Sequence, residues 1–452
     1  MSSINPKRRR GKRDKPKESG TSKGVSPNTG ASASAASVAA VPSSTKTPRM
    51  LLPDSLNQWH ADEYLLHLKL SSSSLSSTSA SSAPGDMVTQ FRSLADEQLS
   101  AELTRYEAYV RTLSSDDQWL RSTATGSAGT ASDRVSSATL LLQSQPVLNL
   151  SLLPELIKLG GAEPRLQNMV CESLLDLFSS NLLPEDRPLT SMFDRPLEQY
   201  TGGKNQLSPK LLMLWRHEEL LKQHYSSFLN LLRTMLDSSL PQTKLYALRC
   251  CGNLLSSAPE CESTLLSMLV NKLGDPHPKP AAAAAHNLRT VLSEHPAMSA
   301  VVCREVQQLA FRPNLSSQGI YNCAIFLNQV AFTRGEPELP TSLLETYFKL
   351  FAAHATPPSS KPSSKSSKSK SKSSVGPASN LPSRLLGALL TGVNRARPYA
   401  PDFDPSDAHL SDLYRVAHTS GHAAVQSLSL LFEVDGKGSR FGRALYERMK
   451  DG

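Results

Sequence analysis

The chain has 452 residues and a formal net charge of +9, and its 39% of hydrophobic residues is less than an ordinary globular domain carries. No apolar run is long enough to cross a membrane, and the first residues lack the apolar core of a signal peptide, so we expect an intracellular protein. The positive charge favours an acidic partner such as nucleic acid, although a soluble basic protein without such a partner has the same balance.

Residues 1–50 are predicted to be a disordered basic tail, because they combine Lys and Arg with Ser, Ala, Thr and Pro and have few large apolar side chains. A dense basic block near the start is typical of a nuclear or nucleolar address or of a phosphate-binding arm, but many basic tails only increase solubility. The candidate nucleic-acid or localisation residues in this block are Lys7, Arg8, Arg9, Arg10, Lys12, Arg13, Lys15 and Lys17.

Residues 51–134 are predicted to form short helices joined by Ser-rich linkers. One helix is expected over residues 87–113, with Leu94 and Tyr106 on its apolar face. The stretch 122–133 is predicted to be a loose linker before the main body of the protein.

Residues 135–355 are predicted to be the helical body, because apolar residues recur there at three- and four-residue steps and Pro and Gly punctuate the pattern. Pro241 fits the first turn of one helix, Ser263 is the expected N-cap of the next, and the Gly160-Gly161 pair is expected to stop an earlier one. Helices of this size cannot each bury a face alone and must stack on their neighbours. The predicted fold is all-α, an irregular HEAT/armadillo-like α-solenoid.

Two further segments complete the predicted organisation. Residues 356–380 have too few apolar side chains to fold and are predicted to be a disordered Lys/Ser loop. Helical periodicity resumes in residues 381–452, which we expect to be the C-terminal helical part of the same domain.

The six cysteines are spaced as reduced, buried thiols rather than as a disulfide framework, since all of them fall within or beside predicted helices. Adjacent Cys250 and Cys251 point about 100° apart on a helix and cannot chelate one metal ion as a ligand pair. The other four are Cys171, Cys261, Cys303 and Cys323.

The polar residues of the longest predicted helix also give no catalytic site. His217 and His224 are interpreted as packed or solvent-facing histidines rather than ligands, and Glu218 and Glu219 as a solvated helix surface. Nothing in the sequence assembles an acid, a base and an oxyanion donor. We therefore predict no catalytic residue, no metal ligand, no cofactor and no enzymatic activity.

Seven short strings occur along the chain in a fixed order. They are FSSNLLPEDRPL (178–189), LWRHEELLKQHY (214–225), VNKLGDP (270–276), FLNQ (326–329), LLTGVNRARPY (389–399), AVQSLSLLF (424–432) and ALYERM (444–449). These strings resemble the CCAAT-binding-factor family of nucleolar-complex proteins and follow that family's order. The string that ends in Pro398 and Tyr399 is the most specific of them, whereas FLNQ alone would be weak.

The resemblance implies a non-catalytic HEAT-like scaffold that helps to assemble the large (60S) ribosomal subunit in the nucleolus or nucleus. It implies contacts with pre-rRNA, with proteins of the pre-60S particle and with a second nucleolar-complex protein as a heterodimer, and no membrane or small-molecule substrate. Family members usually continue beyond the position of Met449, so we expect residues 381–452 to be a truncated part of the family domain.

Two other functions remain open, a CCAAT-box DNA-binding transcription regulator and a nuclear transport or docking adaptor. No helix-turn-helix, zinc finger or basic zipper is readable, and a basic terminal address is more typical of cargo than of a transport receptor. Arg395 and Arg397 fall at a predicted helix end, where they either cap the helix or contact RNA or a partner.

Overall fold

The computed structural model describes residues 50–52, 59–61, 85–126, 129–195, 197–200, 207–333, 336–355, 381–418, 422–435 and 439–451. All of them belong to one structural unit, Thr47–Gly452. The predicted basic tail and the predicted Lys/Ser loop lie outside the described residues, apart from Met50.

The described residues form sixteen α-helices and no β-strand, in agreement with the predicted all-α class. The helices are α1 Gly85–Val110, α2 Ser115–Ala124, α3 Ala131–Ser144, α4 Leu152–Ala162, α5 Gln167–Leu177, α6 Pro209–Leu236, α7 Pro241–Ser257, α8 Glu262–Asn271, α9 Pro278–Glu294, α10 Ser299–Ala310, α11 Ser317–Leu327, α12 Glu338–Ala355, α13 Leu381–Ala396, α14 Asp407–Ala417, α15 His422–Asp435 and α16 Ser439–Asp451.

The helices pack mainly on those one or two positions away along the chain. The largest contacts join α7 with α9, α12 with α13, and α2 with α3, and the same nearest-neighbour order continues to α16. This is the packing of an α-solenoid, and it confirms the predicted fold class. One extensive contact departs from the order, since α1 packs against α6.

The long helix α6 is the central element of the N-terminal half. Pro209 occupies its first turn, where the missing N–H costs nothing, and its side chains pack on α1, α4 and α7. Tyr225 and Phe228 are fully buried, and the ring of Phe178 lies 5.0 Å from the first and 5.4 Å from the second, measured between centroids. Pro241 begins α7 in the same way, as the sequence predicts.

The region before the body contains more helix than the sequence predicts. Helix α2 extends into the expected linker, and Ser114 is its N-cap, with a side chain that accepts a hydrogen bond from the Asp117 N–H. The apolar face expected for α1 is wrong at Leu94, which is 46% exposed. Helix α1 instead turns Ala95 and Glu102 inward, because the Glu102 carboxylate accepts hydrogen bonds from the backbone of Leu51 and Leu52.

Two helix ends also differ from the prediction. Helix α8 begins at Glu262, so its N-cap is Cys261 and not Ser263. The backbone of Cys261 is left-handed, with a φ of 55°. Preceding Glu260 fixes this turn, because its buried carboxylate accepts the Leu189 N–H at 2.6 Å. Helix α4 runs through Gly160, where a Cβ would lie 3.0 Å from Val170 Cγ1, so this glycine permits close packing rather than ending the helix.

Within the described ranges, no helix is both long and apolar enough to cross a bilayer.

Candidate functional site

Two acidic residues of α6 lie inside the protein, so the predicted solvated surface at Glu218 and Glu219 is wrong. Glu218 is 0% exposed and Glu219 is 4% exposed. Glu218 accepts hydrogen bonds from the guanidinium groups of Arg187 and Arg195 and, at 2.8 Å, from the Thr190 N–H. A buried carboxylate needs such partners, because an unpaired charge in the interior is strongly unfavourable.

Glu219 joins α6 to α1 through two further arginines. Its carboxylate accepts from Arg92 Nε at 3.0 Å and from Arg216 Nη1 at 2.7 Å. Burial alone raises the pKa of Glu219, but the hydrogen bonds from Arg92 and Arg216 outweigh it and lower the pKa below its usual value. Arg216 also reaches Asp96 of α1 at 2.7 Å and 3.0 Å.

These contacts form an arginine–glutamate cluster that holds together α1, the connection between α5 and α6, and α6 itself. A sequence signal for it exists, because four consecutive polar residues (216–219) interrupt the apolar pattern of a long helix. At about 100° per residue they occupy every side of the helix, so at least one of them must point inward. The cluster consists of Arg92, Arg187, Arg195, Arg216, Glu218 and Glu219.

His217, which lies between Arg216 and Glu218 in α6, packs on a segment that precedes α1. The ring of Trp59 lies 5.0 Å from the His217 ring, and Trp59 Nε1 donates to the Leu182 carbonyl at 3.0 Å. Neither nitrogen of His217 has a hydrogen-bond partner among the described residues. Burial, with a smaller effect from nearby His224, lowers the pKa of His217 to about 3, so the ring is neutral. The prediction of a packed histidine is therefore confirmed at this position.

Several family-like strings contact one another in pairs. Phe178 and Arg187 of the 178–189 string reach Tyr225 and Glu218 of the 214–225 string. Lys222 of the second string also donates to the carbonyl of Leu189 in the first, at 2.7 Å. These two strings therefore join α6 to the connection between α5 and α6.

The FLNQ string (326–329) and the LLTGVNRARPY string (389–399) form the second pair. Asn328 Nδ2 donates at 2.7 Å to the carbonyl of Ala388, the residue just before the second string. Arg395 of the second string donates to the Asn328 carbonyl at the end of α11. The Arg395 guanidinium also lies 5.0 Å above the centroid of the Phe332 ring. A Cβ at Gly392 would lie only 2.4 Å from Asn328 Oδ1, so this glycine permits the close approach of α11 and α13.

The predicted contact residues at the end of α13 both make internal hydrogen bonds. Arg395 binds the last turn of α11, and Arg397 Nη1 donates to the Phe403 carbonyl at 3.3 Å. Both side chains are half-buried. The basic residues between positions 7 and 17 lie outside the described residues. A role in RNA or partner contact remains a prediction for both groups.

The cysteines match the predicted reduced and buried state. All six are free thiols, five are buried and Cys261 is half-buried. Burial raises the pKa of the Cys303 and Cys323 thiols to about 12, which leaves them protonated and unreactive at neutral pH. In the described part of the chain, no three His, Cys, Asp or Glu side chains lie close enough together to hold a metal ion.

The fold and these contacts define the chain as an α-solenoid whose polar motifs secure helix packing. It is 33% identical over 380 residues to CCAAT/enhancer-binding protein zeta of Homo sapiens. The aligned region covers 81% of this chain and 34% of the human protein. It is 30% identical over 360 residues to ribosome biogenesis protein NOC1 of Chaetomium thermophilum, covering 72% of this chain and 34% of that one. Nucleolar complex protein 1 of Drosophila melanogaster is 31% identical over 353 residues, covering 75% of this chain and 28% of that one.

These relatives support the resemblance of the chain to the CCAAT-binding-factor family of nucleolar-complex proteins. The chain spans about a third of the length of these relatives, and no family model matches it. The relatives carry names of nucleolar-complex and CCAAT-binding proteins rather than of enzymes. Their nucleolar names support a nucleolar or nuclear location for this chain.

Proposed function

We propose that this chain is a non-catalytic scaffold in ribosome biogenesis that assembles the large (60S) subunit. In this role it contacts pre-rRNA and pre-60S proteins and pairs with a second nucleolar-complex protein. The observation that carries the proposal is the similarity to relatives named ribosome biogenesis protein NOC1 and nucleolar complex protein 1. Their similarity extends over 72% and 75% of this chain.

The internal contacts support a scaffold in a second way. The paired strings and the arginine–glutamate cluster satisfy buried charges and join helices, and no substrate is needed to explain them. A stack of helix pairs presents a long surface on which large partners can bind side by side. The family-like strings that make these contacts therefore help to maintain the shape of that surface.

Sedimentation of the tagged protein from cell extracts tests the proposal. We expect the protein to co-sediment with pre-60S particles, and we expect its depletion to reduce 60S subunits while 40S subunits persist. A tagged protein that sediments only as a free species, with no change in the subunit ratio after depletion, would refute the proposal.

A CCAAT-box DNA-binding regulator is the second candidate, and the name of the human relative favours it. The two functions are distinguished by measuring the affinity of the protein for a DNA duplex that carries the CCAAT sequence and for a duplex of the same composition in scrambled order. The scaffold predicts equal affinity for both duplexes and a strong decrease of affinity with salt, because contacts with phosphates carry no sequence information.

A further inference from the structure

A groove with several polar side chains in its lining runs between α7 and α9. Its volume is about 320 Å³. Asn253 and Ser256 of α7 line it together with Asn287 and Glu294 of α9, and Ser179 also contributes to its lining. The family-like strings contribute only Ser179 to this groove, so their contacts do not explain it.

The walls of the groove are fixed by contacts beneath and beside it. Gly252 is buried, and a Cβ at this position would lie 3.1 Å from the Cβ of Asn287, so α7 and α9 approach each other closely here. His295, the residue after α9, lies with Nε2 at 3.0 Å from the carbonyl oxygen of Ser256 in α7. A groove with walls held in this way loses little conformational entropy when a ligand binds.

The side chains that line the groove have unused hydrogen-bonding capacity. The amides of Asn253 and Asn287, the hydroxyl of Ser256 and the carboxylate of Glu294 make no hydrogen bond to any other described residue. Each amide offers both a donor and an acceptor, which is the pattern that the N–H and C=O groups of an extended main chain require. The α9 wall from Asn287 to Glu294 is about 10 Å long, enough for about three residues of extended chain.

The charge of the groove selects among extended polymers. None of its lining residues is Lys or Arg, and the only charged one is Glu294. Nucleic acid gains most of its affinity from cations that neutralise phosphates, and a carboxylate opposes it. A peptide with Lys or Arg beside Glu294 instead gains an ion pair.

We propose that the groove between α7 and α9 binds an extended, basic peptide segment of a partner protein. The amides of Asn253 and Asn287 hold its main chain, and Glu294 holds a Lys or Arg side chain. This inference goes beyond the scaffold role and stands on the groove alone, so the binding experiment below does not depend on ribosome assembly.

Fluorescence anisotropy of a labelled peptide of alternating glycine and lysine, titrated with the purified full chain, tests the proposal. We expect saturable binding that Glu294→Lys weakens by about tenfold and Asn253→Ala with Asn287→Ala by a similar factor. Glu107→Lys is the matched control, since Glu107 is an exposed glutamate in the last turn of α1, and it should leave the affinity unchanged. Circular dichroism and the melting temperature verify that each variant is folded.

A second peptide separates main-chain recognition from charge attraction. It replaces each glycine by N-methylglycine, which keeps the lysines but removes the N–H donors of those residues. We expect it to bind about tenfold more weakly. Equal binding of both peptides, or binding that Glu294→Lys leaves intact, would overturn the proposal. An oligouridylate that displaces the glycine–lysine peptide and binds more tightly to Glu294→Lys would assign the groove to RNA instead.

Discussion

Arg395 of α13 donates a hydrogen bond to the backbone carbonyl of Asn328, the residue that ends α11. A cation at the C-terminus of a helix satisfies a carbonyl without an intrahelical partner and interacts favourably with the helix dipole. Capping of its own helix is one of the two alternatives that the sequence leaves open for Arg395, but this side chain caps α11 instead. The contact joins two family-like strings that are more than sixty residues apart in the chain.

Substitution of two glycines in α13 tests this close contact. We expect Gly392→Ala to destabilise the protein by about 1–3 kcal/mol, because its methyl group would overlap Asn328 and the ring of Tyr347. Gly387→Ala is the matched control in the same helix. The nearest atom to its added Cβ is 3.8 Å away, so the higher helix propensity of alanine should stabilise the protein by about 0.5–1 kcal/mol. Urea denaturation measures both, and equal effects would contradict the packing at Gly392.

Loss of Glu218 should leave the buried guanidinium of Arg195 without its carboxylate partner. We expect Glu218→Ala to lower the free energy of unfolding by about 3–5 kcal/mol, as is typical when one member of a buried ion pair is removed. Glu107→Ala, which removes an exposed glutamate, should change it by less than about 0.5 kcal/mol. Urea denaturation of the purified variants measures both changes in the free energy of unfolding. A loss of stability for Glu218→Ala as small as that for Glu107→Ala would contradict a buried cluster.

The neutral state of buried His217 predicts a dependence of stability on pH. Its pKa is lowered from 6.5 to about 3 by folding, so the unfolded chain takes up a proton first as the pH falls. The contribution of this residue is complete above pH 6.5 and declines by about 1.4 kcal/mol per pH unit between pH 6.5 and about pH 3. Replacement by phenylalanine, which cannot be protonated, should remove this part of the slope.

Denaturation curves at pH 7 and pH 5 provide the measurement for His217. We expect the loss of stability between these values to be about 2 kcal/mol smaller in His217→Phe than in the parent protein. His286→Gln serves as the control, since His286 is exposed, and it should keep the parent slope. Parallel slopes for the parent and His217→Phe would mean that the ring is accessible to protons.

The extent to which the structure follows from the sequence depends on the kind of residue. Pro241 acts within its own helix, and the sequence locates that helix start because proline at the first turn needs no tertiary contact. Gly160 and Glu218 depend on neighbours from distant parts of the chain, which a local pattern does not include. The local pattern predicts that Gly160 ends a helix, but this glycine accommodates Val170 and Leu231. The same kind of pattern predicts Glu218 at the surface, but its carboxylate pairs with Arg195.

Crosslinking of the protein to RNA in cells by ultraviolet light, followed by sequencing of the attached RNA, is the most decisive experiment for the proposed scaffold role. The full chain is compared with a variant that lacks residues 1–49 and with a variant that carries Arg395→Ala and Arg397→Ala. For a scaffold of the large subunit we expect reads concentrated on large-subunit pre-rRNA, which the deletion diminishes if the basic residues from Lys7 to Lys17 contact phosphates. Crosslinks absent from rRNA in the full chain, together with enrichment of the protein at promoters, would contradict the scaffold and favour the DNA-binding regulator.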